Sequence, residues 1–463
     1  MNIYYNMKFR YKPIVIRIAQ TEDNIFNYDP DVECSSNIDY PRMEYGFHSF
    51  IEQARAKMDY VQKKDKKKLY LIMTDIERYI DRYKNNIGET SIEYFSLDKK
   101  PKILSRAFYK LWEILMCFPL INPIQKKFVT AHLAEGPGSF IQATMFYREL
   151  YGNKWKDDLY YGITLDPESD DKNVPPLEKQ FTNYYDKEKP KRFYQHETYP
   201  KAIADKSDDK DNGDLTNPKT IKLFRKQVGI GKANFITGDG GFQWEGEETI
   251  QEQKAFNLII GQIISAFKIQ KKGGHFVCKF FETYTKSTMK AIAILIQCYN
   301  EVYFMKPLMS RTHNSEKYIV CLDFKYDEND KIYQRIDKKL DILLSNINNK
   351  PINLFINDIF IDYQLEEQMI NSISQIAREI SNRQFEVINE MENYVNEENY
   401  YGTIYQNARE RQIDVTKFWI DMYFPPDNKY NDHKKICYEM KDESIKMQID
   451  KLNVIVKQMN ETL

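Results

Sequence analysis

The stretch KKFVTAHLAEGPGSFIQATMFYRELYG, residues 126–152, decides the fold. Its first ten residues (126–135) read as a strand. SFIQATMFYRELYG (139–152) reads as a helix, and between them EGPG turns the chain on two glycines. Gly136 and Gly138 let the backbone approach a ligand, and the helix start presents unpaired N–H groups. Taken alone, the turn is equally an ordinary strand-to-helix connection, since it lacks the GxGxxG spacing. What surrounds it gives it weight.

Downstream the alternation continues, with strands expected at 159–166, 233–239, 273–282, 301–307 and 316–324. Helices are expected at 217–229, within 247–271 and at 286–300, with Asn217 as cap and Pro218 in the first turn. Such alternation predicts an α/β fold: a mostly parallel sheet with helices on both faces, whose last hairpin adds an antiparallel edge. The polar run between 167 and 216 reads as an insertion over the strand ends. KPIVIRI (12–18) reads as a strand, KKLYLIMTDIERYIDRY (67–83) as helical, and the region beyond 326 as mainly helical. Three regions follow: an N-terminal α/β or helical extension over 1–100, the α/β domain over 101–325, and a mainly helical C-terminal region over 326–463. The stripe Ile445, Ile449, Leu452, Val456 and Met459 packs on the body or binds a protein partner.

Composition limits the function. The 463 residues are 42% hydrophobic and 29% charged, as in a folded soluble protein, and the net charge of −1 demands a local basic patch for any polyanion. The basic run KKDKKK (63–68) is a solvated face or such a patch. Six scattered cysteines and six scattered histidines give neither CxxC nor HExxH spacing, so reduced thiols and no metal site are expected. The opening MNIYYNMKFRYK has no apolar stretch before its basic residues, and LIIGQIISAF (258–267) is too short to span a bilayer. A soluble intracellular protein with no membrane attachment is expected, in the cytoplasm rather than the nucleus.

In an open parallel sheet, ligands bind beyond the carboxyl ends of the strands. Asp166 ends one strand, where an acid either holds ribose hydroxyls or caps a turn. Asp239 ends another within TGDGGF (237–242), and Glu316 opens the last strand within SRTHNSEKYIVC (310–321). GGHFVCKFFE (273–282) carries Lys279 in an otherwise apolar strand. That lysine either reaches solvent from an edge strand or is held by acids such as Asp239 and Glu316.

EGPGSF, DLTNP (214–218), TGDGGF, GGHFVCKFFE, FMKPLMSR (304–311) and NSEKYIVC (314–321), in this order, resemble the FtsJ-like RNA ribose 2′-O-methyltransferases, and most of all their mRNA cap-specific branch. LSRAFYKLWEIL (104–115) is similar to the helix preceding the family's first strand. The resemblance covers about 101–325 and implies a Rossmann-like S-adenosylmethionine-dependent sheet. It also implies a catalytic tetrad of Lys110, Asp239, Lys279 and Glu316. Cofactor contacts are implied from Glu135, Gly136, Pro137, Gly138, Ser139, Phe140 and Asp166, with Asp214 near the adenine. The turn departs from the family at Glu135 and Ser139, where many relatives have a different acid and a third glycine. The implied reaction is methylation of a ribose 2′-hydroxyl near the 5′ cap of mRNA. Lys279 serves either as base or as a charged group orienting the hydroxyl. Arg106 is either a phosphate contact or a helix-surface arginine. The alternatives are a ribosomal or transfer RNA substrate, and an inactive RNA-binding subunit.

Overall fold

The computed structural model describes residues 11–37, 53, 56–57, 70–165, 174–196, 212–241, 250–351, 353–397 and 401–462. Strands β1 (Ile14–Arg17) and β2 (Val32–Ser35) precede helix α1 (Ala107–Cys117) and strand β3 (Val129–Leu133). Then come α2 (Ser139–Tyr151), β4 (Leu159–Gly162), α3 (Lys179–Tyr185), β5 (Phe193–Gln195), α4 (Pro218–Val228) and β6 (Ala233–Gly238). Helix α5 (Gln251–Ile269), β7 (Gln270–Phe280), α6 (Lys286–Cys298), β8 (Tyr299–Lys306) and β9 (Lys317–Phe324) complete the α/β region. Beyond it lie α7 (Lys331–Asn348), β10 (Phe355–Ile359), α8 (Glu367–Glu397), α9 (Thr403–Tyr423) and α10 (Tyr430–Thr462).

Eight strands form one sheet in the order β1-β8-β9-β7-β6-β3-β4-β5. β5, β4, β3, β6 and β7 run parallel, while β9 runs antiparallel between β7 and β8. The chain builds outward from β3 to β5 and then returns to place β6 on the other side of β3. That reversal opens a crevice at the carboxyl ends of β3 and β6. The two-residue period of β7 is visible in the core: Phe276, Cys278 and Phe280 join the cluster under α5 and α6, and Val277 joins the cluster under α1 and α2. Lys279 therefore shares a face with α1. Asn217 caps α4 by accepting from the Lys219 N–H, with Pro218 in the first turn, as read from the sequence.

Several expectations need correction. The last hairpin is not the sheet's edge, because β1 pairs with β8 from residues far upstream and β9 is interior. β7 is interior too, so Lys279 does not sit on an edge strand. The span 167–216 is not insertion alone: α3 and the edge strand β5 lie in it, and β5 pairs in parallel with β4. Of the helical pattern at 67–83, only Tyr70–Met73 is α-helical among the described residues. The chain then turns because Thr74 Oγ1 takes the Ile76 N–H and Thr416 Oγ1 takes the Glu77 N–H. β10, in the region expected to be helical, pairs with β2 in a separate two-stranded sheet. On α10, Ile445 packs against the core while Ile449 is 46% exposed, so the apolar stripe is only partly used. Asp166, the basic run 63–68, and the Val456 and Met459 side chains lie outside the described residues. No described helix is long and apolar enough to cross a membrane.

The starts of β3 and β4 are tied by a fully buried ion pair. Arg148 of α2 meets Asp158 at 2.7 and 2.9 Å, and Asp158 also accepts the Phe128 N–H at 3.0 Å. Removing one member of such a pair leaves an uncompensated charge in the core. Asp158→Ala is expected to lower unfolding stability by about 3–5 kcal/mol, read by urea denaturation. A loss below about 1 kcal/mol would contradict the tie.

Candidate active site

The crevice at the switch of strand order holds a cavity of about 580 Å³. Its floor is the turn after β3. Gly138 starts α2 with φ +112°, a conformation that favours glycine. At Gly136 a Cβ would lie 1.7 Å from the Pro175 carbonyl oxygen, so only glycine fits. Glu135 is buried; its Oε1 accepts from the Phe140 and Ile141 N–H groups at 2.7 and 3.0 Å, capping α2. Burial pushes the Glu135 carboxyl above the usual carboxylate range. Its Oε2 and the buried Thr164 Oγ1, which also lines the cavity, have no hydrogen-bond partner among the described residues. Buried polar atoms left this way call for a ligand or water.

The sequence-predicted cofactor residues divide. Glu135, Gly136, Pro137, Ser139, Phe140 and Asp214 line the cavity. Gly138 does not, and acts through the turn beneath it. Ser139 Oγ is 2.7 Å from Ser105 Oγ, and Asp214 Oδ1 accepts the Thr216 N–H at 2.9 Å.

Three of the four predicted catalytic residues, Asp239, Lys279 and Glu316, line this cavity; Lys110 is outside its lining and reaches it through Glu316. Lys110 Nζ, from the first turn of α1, is 2.7 Å from Glu316 Oε1 and 2.9 Å from its Oε2. Lys279 Nζ donates to the Asp239 carbonyl oxygen at 2.7 Å and lies 3.2 Å from Asp239 Oδ1. Tyr318 donates its hydroxyl to Asp239 Oδ1 at 3.2 Å, and Ser310 donates to Glu316 Oε1 at 2.8 Å. Sequence reasoning missed both. Tyr318 pairs with Lys279 across β7 and β9 and lies two residues from Glu316, so strand parity was the available signal. The Arg106 guanidinium does not simply face solvent: it turns inward to the Met309 carbonyl at 2.8 Å and to Thr74 Oγ1 at 2.5 Å.

Charge balance explains how these largely enclosed groups are held, Glu316 buried and Lys110, Asp239 and Lys279 half-buried. Burial alone would raise the Glu316 carboxyl, but the Lys110 and Lys279 ammoniums hold it down at about 2. Burial alone would lower Lys279, but Asp239 and then Glu316 raise it above the ordinary lysine value. That direction favours the ammonium form of Lys279. Beneath Glu316, Lys306 donates to the Asn314 and Glu316 carbonyl oxygens, each at 2.8 Å, and burial pushes its amine down to about 7.

This sheet and its crevice define a Rossmann-like α/β domain. Residues 103–324 match the family model of the FtsJ-like methyltransferases, and the chain carries an FtsJ-like methyltransferase domain. It is 33% identical over 172 residues to the cap-specific mRNA (nucleoside-2'-O-)-methyltransferase 1 of Mus musculus, covering 35% of this chain and 20% of that protein. The corresponding Danio rerio protein is 39% identical over 119 residues, 25% of this chain and 14% of that one. The methyltransferase 1A of Caenorhabditis briggsae is 27% identical over 323 residues, 65% of this chain and 33% of that one. The chain thus spans a third or less of the length of these relatives.

The folded carboxyl of Glu316, at about 2 against an ordinary 4.5, contributes stability that is full above pH 4.5 and lost as pH falls through about 2. Glu316→Gln is expected to cost roughly 3 kcal/mol at pH 7. Denaturation curves should show the gap from wild type narrowing as the pH is lowered below 4.5. A gap that stays constant down to pH 3 would contradict the charge pairing.

Proposed function

We propose that this protein transfers a methyl group from S-adenosylmethionine to a ribose 2′-hydroxyl near the 5′ cap of mRNA. One observation carries the reading: the Lys279–Asp239 pair and Glu316, itself paired with Lys110, line a glycine-floored cavity. The similarity to cap-specific relatives favours capped mRNA as the substrate.

The residues present fit the cofactor. Glu135 Oε2 and Thr164 Oγ1, without a partner among the described residues, offer hydrogen-bonding positions in the cavity wall, and Gly136 lines it without presenting a side chain. When bound, S-adenosylmethionine would supply an activated methyl group for a ribose oxygen, held by the 135–140 turn and Asp214. The protein's residues chiefly align and stabilise. Of the two roles open to Lys279, its raised pKa supports the charged one: an ammonium that orients the hydroxyl and stabilises negative charge developing on oxygen. Asp239 fixes the direction of that ammonium through its carbonyl and carboxylate. Lys110 and Glu316 position the ribose and balance the charge. A cytoplasmic location is proposed, and six free cysteines support a reducing compartment.

The deciding assay follows labelled methyl transfer to capped and uncapped short RNAs. Label on a ribose 2′-oxygen of capped RNA alone is expected. Turnover on structured uncapped RNA, or binding without turnover, would overturn the proposal. Lys279→Ala and Lys110→Ala are each expected to lower turnover by about 10³-fold or more while calorimetric S-adenosylmethionine binding survives. In Gly136→Ala that binding should itself be lost, because the new methyl group and the Pro175 carbonyl collide. Near-normal turnover in either lysine variant would refute the assignment.

A further inference from the structure

Glu113 is fully buried on α1, three residues after Lys110, yet it touches neither the cavity nor any member of the tetrad. Its carboxylate accepts three hydrogen bonds: from the Leu308 N–H at 2.8 Å, the Met309 N–H at 3.1 Å and the Trp419 indole N–H at 2.9 Å. All three partners are donors. An ionised carboxylate satisfies them, whereas an amide of the same shape would set an N–H₂ against an N–H.

The position of these contacts matters more than their number. Residues 106, 110 and 113 follow a spacing that puts them on one side of a helix. All three reach the same chain segment: Arg106 holds the Met309 carbonyl, Lys110 holds Glu316, and Glu113 holds the 308–309 amides. The next residue, Ser310, donates to Glu316 Oε1. The bonds close a ring, from α1 through Glu113 to the 308–310 turn, through Ser310 to Glu316, and through Lys110 back to α1. Trp419 fastens that ring to α9, and the Trp112 indole does so again by donating to the Tyr423 carbonyl at 2.7 Å.

We infer that Glu113 is a positioning residue that sets α1 against the 308–316 segment, so that the Lys110–Glu316 pair takes its working geometry from the C-terminal helix α9. The inference rests on the ribose-methylation reading for its kinetic consequence, but not for its structural one.

Glu113→Gln keeps the side chain's shape and removes one acceptor. With capped RNA its kcat per folded molecule should fall about tenfold or more, since small displacements of aligned groups are costly. KM for RNA and Kd for S-adenosylmethionine should stay within about twofold, which a merely structural role would not separate from kcat. Lysine ε-¹³C NMR reads the same geometry without turnover: the Lys110 signal should move in Glu113→Gln, while that of Lys290, paired with Asp358 elsewhere, should not. If Glu113→Gln does not fold, Trp419→Phe, which keeps an aromatic ring but lacks the N–H, decides on the same readouts, with about a threefold fall in kcat expected. An unmoved Lys110 signal, or kcat within about twofold of wild type, overturns the inference. A wild type that methylates no RNA would count against the proposed function and leave the NMR result to decide this point.

Discussion

Four charges of alternating sign, packed where water is scarce, set the terms for the rest of the structure. A buried ammonium or carboxylate loses several kcal/mol of hydration, and it remains ionised only if opposite charge and hydrogen bonds replace the water. Here each ion has that compensation. Glu316 lies between the influence of two ammoniums, and Lys279 between that of two carboxylates. The pairs also need each other, since Glu316 acts on Lys279 from outside its own ion pair. The result is a fixed cation at the end of a cavity, held by geometry rather than by solvent. Such a group can stabilise developing charge without reorganising as the reaction proceeds.

Bringing those charges together requires most of the fold. Lys110 and Glu316 are separated by 206 residues, Lys279 and Asp239 by 40. The sheet supplies the frame: β6 ends just before Asp239, β7 holds Lys279 opposite Tyr318, and β9 begins just after Glu316. The 307–316 segment is further held from outside the sheet. Thr312 N–H bonds to the Met73 carbonyl, and Gln384 of α8 donates to the His313 carbonyl. The flanking regions therefore bear directly on the segment that carries Glu316, in addition to contributing β1 to the sheet.

What was legible in the sequence follows from how local each signal is. The alternation of β7 and the glycine turn after β3 are short-range patterns, and both read through. Lys110 was not legible from spacing at all, because its partner lies far along the chain; only the family resemblance singled it out. β5 is three residues long, too short for a period to show, and it sits in a polar stretch that reads as insertion. The helical pattern after residue 70 was misleading because hydrogen bonds from Thr74 and Thr416, the latter on α9, turn the backbone there. Tyr318 lies two residues from Glu316 and opposite Lys279, so strand parity was its one signal, and as a tyrosine in an apolar strand it reads first as core.

The charged state of Lys279 is the claim on which the mechanism turns. It can be measured directly by following the Lys279 ε-¹³C resonance through a pH titration, assigned with Lys279→Arg. The account predicts that this amine titrates above the ordinary lysine value of about 10.4, because Asp239 and Glu316 outweigh its burial. A midpoint in the neutral range, near pH ~7, would contradict it and make Lys279 a neutral base instead.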